Sequence, residues 1–260
     1  MSTAGPSGSA GRREWDASTY DRIADPQTRW GAGVLERLEL TGGETVLDVG
    51  AGTGRVTEML LERLESGRVV ALDASASMLE VAARRLERFG DRVRALHADV
   101  LRLDASMLGG WAPVDAVFST ATFHWVLDHD RLFAVLASVM ASGAPLVAQC
   151  GAAGNIAGLI EAVRATGHER AGQWNYATPD ETRGRLARAG FVDAEVWTNP
   201  EPTPIESGEA LETYLEAVCL RSHVAALPEP ERVPFVKAVA AAMDEPVIDY
   251  VRLNIVARRA

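Results

Sequence analysis

The stretch "VLDVGAGTGR", residues 46–55, decides the fold. A short apolar run ends in three glycines, Gly50, Gly52 and Gly54, which alternate with small residues. The following segment, "RVTEMLLERLES" (55–66), has apolar residues about every 3.6 positions, as in an amphipathic helix. This order predicts a buried strand, a tight loop and a helix. Because glycine has no side chain, such a loop lets a ligand approach the backbone.

The spacing of the glycines argues against a nicotinamide cofactor as the ligand. A nicotinamide-binding fingerprint, GxGxxG, would require glycine at position 55, where the chain has Arg55. The pattern here is GxGxG, preceded by Asp48. A tight turn without any ligand is the alternative interpretation.

Strands and helices alternate on both sides of this loop. Such alternation predicts an α/β fold with a parallel sheet, helices on both faces, and a ligand site at the carboxyl ends of the strands. Beyond residue 150 the pattern predicts a helix over 179–191, a strand over 193–199 closed by prolines, and amphipathic helices over 207–226 and 229–243. The predicted strands of the first part are 44–50, 67–73, 92–99, 115–120 and 144–150, the helices 55–66, 76–89 and 131–141, and a terminal strand begins at residue 250.

Two further acids end predicted strands. Asp73 follows the second strand, where a carboxylate can accept both hydroxyl hydrogens of a ribose. Asp99 ends the third strand, where it can accept from an adenine amino group while Val100 offers a backbone amide. Either acid could instead cap a helix. Met78 is expected to face the core or to pack on the adenine.

The fourth strand runs directly into "TATFHWVLD" (120–128) with no polar turn. Phe123 and Trp125 can form the wall of a dry pocket, and His124 can supply its polar group. The alternative is that both aromatics only pack a hinge and that His124 is simply hydrogen-bonded.

Composition excludes several classes of function. The chain has 36 acidic and 26 basic residues and a net charge of -10, which disfavours nucleic acid or an anionic membrane as a partner. Cys150 and Cys219 have neither metal-site nor disulfide spacing, and the five histidines form no HExxH pair, so no metal is assigned. We expect no transmembrane helix and no signal peptide, and the two cysteines are consistent with a reducing cytoplasm. The absence of a basic stripe favours a small molecule over a macromolecule as the target, and the protein is expected to be a monomer or a homodimer.

These residues resemble the class I S-adenosylmethionine-dependent methyltransferases, whose nucleoside-binding positions match "VLDVGAGTG", "VVALDAS" and "ALHADV". A narrower resemblance, to the trans-aconitate methyltransferase family, rests on "WDASTYDRIADPQTRW", "FHWVLDHDRLFAVLASVM" and "RLNIVARR". The chain departs from that family at Ala51, where relatives often carry cysteine, and at His124, where the family's named enzyme has glutamine.

The resemblance implies a Rossmann-like sheet of order 3-2-1-4-5-7-6 with its last strand antiparallel and a helical cap over the pocket. It implies a tail over 1–13 and one methyltransferase domain over 14–260, made of an N-terminal lid (14–40), a cofactor-binding core (41–150), substrate-facing elements with the cap (151–245) and a terminal strand (246–260). Tyr20 would contact the cofactor's carboxylate, unless it is a surface anchor. The implied S-adenosylmethionine contacts are Tyr20, Asp48, Gly50, Ala51, Gly52, Gly54, Asp73, Ala74, Met78, Asp99, Val100 and Thr120.

The family also points to a small carboxylate as methyl acceptor and a methyl ester as product. A protein of net charge -10 repels anions, so this acceptor needs a local arginine, which binds carboxylate through two parallel hydrogen bonds. Hydroxyl-O-, N- or C-methyl transfer, and cofactor binding without turnover, are the alternatives. His124 would serve as a general base if the acceptor is a hydroxyl. The catalytic candidates are His124 and Trp125, and the substrate-binding candidates are Arg29, Phe123, His124, Trp125, Tyr176, Tyr214, Arg221 and Arg252, although each arginine could instead be a surface residue.

Overall fold

The computed structural model describes residues 25–168 and 174–260. Its centre is a seven-stranded sheet of order β3-β2-β1-β4-β5-β7-β6, in which β7 alone runs antiparallel to its neighbours. This confirms the predicted sheet. The strands are β1 (Thr45–Val49), β2 (Arg68–Asp73), β3 (Val93–His97), β4 (Ala116–Thr120), β5 (Pro145–Gly151), β6 (Phe191–Pro204) and β7 (Val247–Arg259).

Helices cover both faces of the sheet and one end of it. Short 3-10 turns follow the third helix and the ends of β3 and β4. The helices are α1 (Asp25–Leu35), α2 (Arg55–Arg63), α3 (Ala76–Leu86), α4 (His129–Val139), α5 (Ala157–Ala165), α6 (Pro179–Arg188), α7 (Glu209–Tyr214), α8 (Arg221–Ala226) and α9 (Glu229–Ala242). Within residues 25–168 and 174–260, no helix is both long and apolar enough to cross a bilayer.

The alternation of side chains along β1 explains why a hydrophobic cluster lies on each face of the sheet. All five residues of β1 are buried, because successive side chains point to opposite faces of a sheet that is covered on both sides. Val46 packs in the cluster under α1 and α2, whereas Leu47 packs in the cluster under α4. A third cluster, formed by α5, α7 to α9 and the first half of β7, lies beyond the carboxyl ends of the parallel strands.

The predicted end of β6 was wrong. The prolines at 200, 202 and 204, expected to close the strand, lie within it and pair in register with Val251, Asp249 and Val247 of β7. Because β6 is an edge strand, residues two apart can all turn their nitrogen outward, where no N–H is needed for pairing.

The predicted helix over 207–226 is helical but not continuous. It divides into α7, a π-helical turn (Leu215–Cys219) and α8, and the amide of Leu220 donates to the carbonyl of Leu215 at 2.7 Å. The wider turn keeps Tyr214, Leu215, Cys219 and Leu220 buried together in the third cluster. Apolar spacing alone does not distinguish this arrangement from one continuous helix.

Candidate functional site

The glycines between β1 and α2 have two different structural roles. All three have positive φ: 78° at Gly50, 56° at Gly52 and 79° at Gly54. A Cβ on Gly50 would lie 1.9 Å from Thr122 Oγ1, and one on Gly54 would lie 3.1 Å from the Cβ of Ala82. A Cβ on Gly52 would meet no atom within 4 Å. Gly50 is therefore required by packing and Gly54 is tightly packed, whereas Gly52 presents bare backbone to open space.

Asp73, at the end of β2, faces this loop. Its Oδ2 accepts from the amide of Gly52 at 2.9 Å and its Oδ1 from the amide of Ser75 at 2.8 Å. Burial raises the pKa of the Asp73 carboxyl, although these backbone hydrogen bonds oppose the shift. A carboxylate has about four acceptor positions and the amide of Ala74 also bonds to it, so acceptor capacity remains for a hydroxyl group of a ligand.

Asp48 lies beneath the loop and is 3% exposed. Its Oδ2 accepts from the hydroxyl of Thr57 at 2.6 Å. Burial, with a contribution from nearby Asp73, raises the pKa of Asp48 from 3.8 to about 7. A positively charged ligand above the loop would favour ionisation of both acids.

The remaining predicted cofactor residues lie at the same sheet edge. Asp99 is exposed and its Oδ1 accepts from the amide of Leu101 at 2.9 Å, which is the capping role considered from the sequence. Val100 and Met78 are buried at 5% and 3% exposure. Ala51 donates its amide to the carbonyl of Leu72, Ala74 is exposed, and Thr120 ends β4.

The segment after β4 is held against the glycine loop. Thr122 packs on Gly50, and its hydroxyl donates to the carbonyl of Thr120 at 3.0 Å. Ala121 has a φ of 56°, a left-handed conformation that is strained for alanine. Residues Phe123–Trp125 then form a 3-10 turn. The strain and the turn together direct the chain across the end of β5.

His124 is bound into the sheet by its ring. It is 7% exposed, and its Nδ1 accepts from the amide of Gly151 at 3.2 Å. Because Nδ1 is an acceptor, the neutral ring carries its proton on Nε2. The ring stacks on Tyr176 at 5.8 Å between centroids.

A cavity of about 60 Å³ opens beside this turn. Aromatic rings form much of its wall, and Ile156, like Ala121, adopts a left-handed φ, of 50°. Strained backbone of this kind is typical of functional sites. The described lining residues are Ala121, His124, Trp125, Asn155, Ile156, Trp174, Tyr176, Val218, Cys219, Tyr250 and Arg252.

Arg252 is the one cation among these described lining residues, and the lining includes no carboxylate. It is 3% exposed. Its guanidinium lies 4.7 Å from the ring centre of Trp30, and its Nε donates to Gln149 Oε1 at 3.4 Å. A buried guanidinium among aromatic and amide groups suits an anionic ligand.

The structure does not bring every predicted substrate residue to this cavity. Phe123 is 1% exposed and packs on Phe133 in the core, because the 3-10 turn rotates it away from His124 and Trp125. Tyr214 lies behind the wall, with its hydroxyl 2.9 Å from that of Tyr250. Arg29 is exposed, and Arg221 is outside the described lining. Tyr20 and the tail over 1–13 lie outside the described residues.

Sequence reasoning missed Tyr250, Trp30, Trp174 and Gln149. One signal could have identified the first of these. Tyr250, Arg252 and Asn254 are two residues apart, so they share one face of β7, and all three are buried. Trp30 ends the stretch "WDASTYDRIADPQTRW" that carries part of the family resemblance, and its ring contacts that of Tyr250 edge-on at 5.0 Å.

Comparison with known proteins fits this geometry. Residues 46–143 match the family model described as "Methyltransferase domain". The chain is 27% identical to the trans-aconitate 2-methyltransferase of Paracidovorax citrulli, over 95% of this chain and 99% of that protein. It is 28% identical to the enzyme of the same name from an Azoarcus species, over 88% and 89%.

The chain is an S-adenosylmethionine-dependent methyltransferase. Its fold matches a Haemonchus contortus phosphoethanolamine N-methyltransferase solved with S-adenosylhomocysteine, with a TM-score of 0.64 and 19% identity over 94% of this chain and 57% of that one. It also matches geranyl diphosphate C-methyltransferase from Streptomyces coelicolor, with a TM-score of 0.58 and 18% identity over 97% and 86%. Identities this low establish the fold alone.

S-adenosylmethionine is the cofactor, and the residues of the loop fit it. The bare backbone at Gly52 leaves room for a ligand, and Asp73 retains acceptor positions beside it. Asp48 and Asp73 place acidic groups where the cofactor's positive charges would favour them. We propose that these residues hold the cofactor.

Substitutions can separate the two roles of these glycines, which are to leave space for a ligand and to allow close packing. Gly52→Ala should weaken S-adenosylmethionine binding by about tenfold or more, because its methyl group occupies open ligand space. The strain of alanine at positive φ should cost only about 1 kcal/mol of stability. Calorimetric titration and chemical denaturation of the variant check both values.

Gly54→Ala is the matched control for Gly52→Ala. Its methyl group meets Ala82 and Leu86, so the free energy of unfolding should fall by about 1–3 kcal/mol beyond the strain, with cofactor affinity of the folded protein largely kept. Equal effects of the two variants on cofactor affinity would contradict the separate roles.

The raised pKa of Asp48 predicts a pH dependence of stability. Between pH 3.8 and about 7 the unfolded chain has lost this proton and the folded chain retains it, so folding stability falls as pH rises through that window. Asp48→Asn should remove this loss, so its stability relative to wild type should increase from pH 4 to 7 and then level off. Denaturation curves at successive pH values measure the difference.

Asp104→Asn provides a control of opposite sign. Hydrogen bonds from Ser106 lower the pKa of Asp104, so its stabilising effect is present above pH 3.8 and is lost as pH falls through the lowered pKa. This variant should lose stability relative to wild type as pH rises towards 3.8, and the difference should stay constant above that pH. Parallel curves for Asp48→Asn and wild type would show that Asp48 ionises normally in the folded state.

Proposed function

We propose that the enzyme methylates a carboxylate oxygen of a small carboxylic acid, giving a methyl ester. The cofactor supplies an electrophilic methyl group on a sulfonium. A carboxylate oxygen forms the new O–CH₃ bond, the C–S bond breaks, and its electron pair stays on sulfur. No proton has to leave the acceptor, because a carboxylic acid is already ionised at neutral pH.

The burial of the Arg252 guanidinium in the cavity wall is the main observation that supports this proposal. A guanidinium that is 3% exposed has lost most of its hydration, and it lies in the cavity wall beside the Trp30 ring and the Gln149 amide. Arginine stays charged in such a place and binds carboxylate in a fixed geometry. In a protein of net charge -10, this cavity is a local exception that favours an anion.

The other ionisable groups in the wall support an acceptor that needs no base. Burial raises the pKa of Cys219 to about 12 and raises the pKa values of Tyr176 and Tyr250 as well, so all three keep their protons at neutral pH. His124 accepts from Gly151 through Nδ1, which leaves a proton on Nε2. A hydroxyl acceptor would need one of these groups to take its proton, whereas a carboxylate would not.

The relatives support the same acceptor class. Both relatives described above align along nearly the whole chain, and both are named trans-aconitate 2-methyltransferase. Identities of 27% and 28% support a small carboxylic acid more strongly than they support that particular acid. The N- and C-methyltransferases among the structural matches share the fold and carry no argument about the acceptor.

The acceptor class can be tested with a labelled methyl donor and a panel of di- and tricarboxylic acids. The product should be an ester that mild alkali hydrolyses. Arg252→Met, which keeps much of the side-chain bulk, should raise the acceptor KM by about tenfold or more, since a charge-assisted hydrogen bond is worth about 1.5–3 kcal/mol. Cofactor affinity should barely change.

Arg29→Met and Arg221→Met distinguish the three arginines considered from the sequence. Each should raise the acceptor KM less than Arg252→Met does, because neither side chain belongs to the described wall of the cavity. The proposal fails if Arg252→Met leaves acceptor kinetics unchanged, or if the methyl group is recovered on nitrogen, carbon or an uncharged hydroxyl.

The state of His124 predicts the pH dependence of the rate. With a carboxylate acceptor, kcat/KM should be flat above the acceptor's own pKa, and His124→Gln should lower it by less than about tenfold, since glutamine keeps an N–H donor. A histidine base would instead give a limb near pH 6.5, lost in His124→Gln, and a loss of about 10²–10⁴-fold. Rate profiles of both proteins from pH 5 to 9 decide between the two.

A further inference from the structure

A buried chain of amide side chains connects Arg252 to Arg37, just after α1. Arg252 Nε donates to Gln149 Oε1 at 3.4 Å, and Gln149 Nε2 donates to Asn254 Oδ1 at 2.8 Å. The same oxygen of Asn254 accepts from Arg37 Nη1 at 2.5 Å. Gln149 and Asn254 are 4% and 0% exposed, and they pair directly across β5 and β7.

The direction of these hydrogen bonds is fixed at both ends of the network. Arg37 can only donate, so it holds the oxygen of Asn254 towards itself and Gln149. On its other side, Asn254 Nδ2 donates to Asn199 Oδ1 at 2.6 Å, and Asn199 Nδ2 donates to Glu201 Oε1 at 2.7 Å. An ionised carboxylate only accepts, so the amides cannot reverse without losing a partner.

This direction decides which group faces Arg252. If the amide of Gln149 were reversed, its NH₂ would oppose the Nε–H of Arg252, placing two donors together. In the observed orientation Gln149 offers oxygen. Its backbone carbonyl also accepts from the amide of Ala121 at 2.8 Å, so one residue contacts both Arg252 and the start of the His124 segment.

We propose that Gln149 is a positioning residue for Arg252, and that Arg37 acts through Asn254 to hold the amide of Gln149 in the required orientation. Engaging Nε in this way directs a bound carboxylate to the two terminal nitrogens of the guanidinium, which form a parallel fork. This inference rests on the proposed function, because it assumes that Arg252 binds the acceptor.

Arg37 gives the sharpest test, since it lies outside the described cavity wall. Arg37→Met should raise the acceptor KM by about three- to tenfold, the loss expected when one hydrogen bond in the network disappears. Cofactor affinity and kcat should change by less than about twofold, since only acceptor binding is disturbed. Arg37→Lys, which restores a cationic donor, should recover most of the loss.

Arg183→Met is the matched control. Arg183 also donates to the β6 region, through Nη1 to the carbonyl of Val196 at 2.5 Å, but it does not bond to Asn254. Its substitution should leave the acceptor KM unchanged. Gln149→Met should raise that KM by about tenfold or more. Thermal melts confirm that each variant is folded before its kinetics are measured.

The outcomes separate this inference from the proposed function. If Arg252→Met raises the acceptor KM while folded Arg37→Met and Gln149→Met do not, the network is only structural and the inference is overturned. An equal rise in Arg37→Met and Arg183→Met also overturns it, because the effect is then not specific to Asn254. If Arg252→Met has no effect on the acceptor KM, the proposed function itself fails.

Discussion

Thr122 lies directly against the backbone of Gly50, and this contact requires that residue 50 has no Cβ. This contact holds the chain that follows β4 against the chain that follows β1. The segment leading to His124 therefore starts beside the glycine loop. Gly151 repeats the arrangement at the end of β5, where a Cβ would lie 2.6 Å from the Tyr176 ring and where the amide binds His124. Because Gly50 and Gly151 have no side chains, the two halves of the site, the glycine loop and the cavity wall, can lie close together.

The two halves have opposite electrostatic character. Around the glycine loop, burial raises the pKa values of Asp48 and Asp73, which is the cost of holding carboxylates where a cationic cofactor would stabilise them. In the cavity wall, the cation Arg252 is buried beside the Trp30 ring and the Gln149 amide. The buried acids reduce the stability of the protein alone at neutral pH, as expected where stability has been exchanged for ligand binding. A positively charged methyl donor and a negatively charged acceptor would be drawn to adjacent places.

The sequence predicts the sheet and its ligand edge because strand ends carry strong local signals, such as the glycines after β1 and Asp73 after β2. It does not choose among Arg29, Arg221 and Arg252, since burial depends on the pairing of distant strands. Phe123 shows a second limit, because the 3-10 turn that buries it cannot be distinguished from an extended segment by apolar pattern. The π-helical turn at Leu215–Cys219 is likewise invisible to helical periodicity.

The departure at His124 from the family that the chain resembles becomes understandable at the level of hydrogen bonds. A histidine that accepts through Nδ1 and carries its proton on Nε2 offers one acceptor and one donor. A glutamine amide offers the same pair, with its oxygen available to Gly151 and its nitrogen to the cavity. Glutamine cannot act as a general base, so a site that functions with either residue requires only the donor. This equivalence favours an acceptor that arrives already ionised.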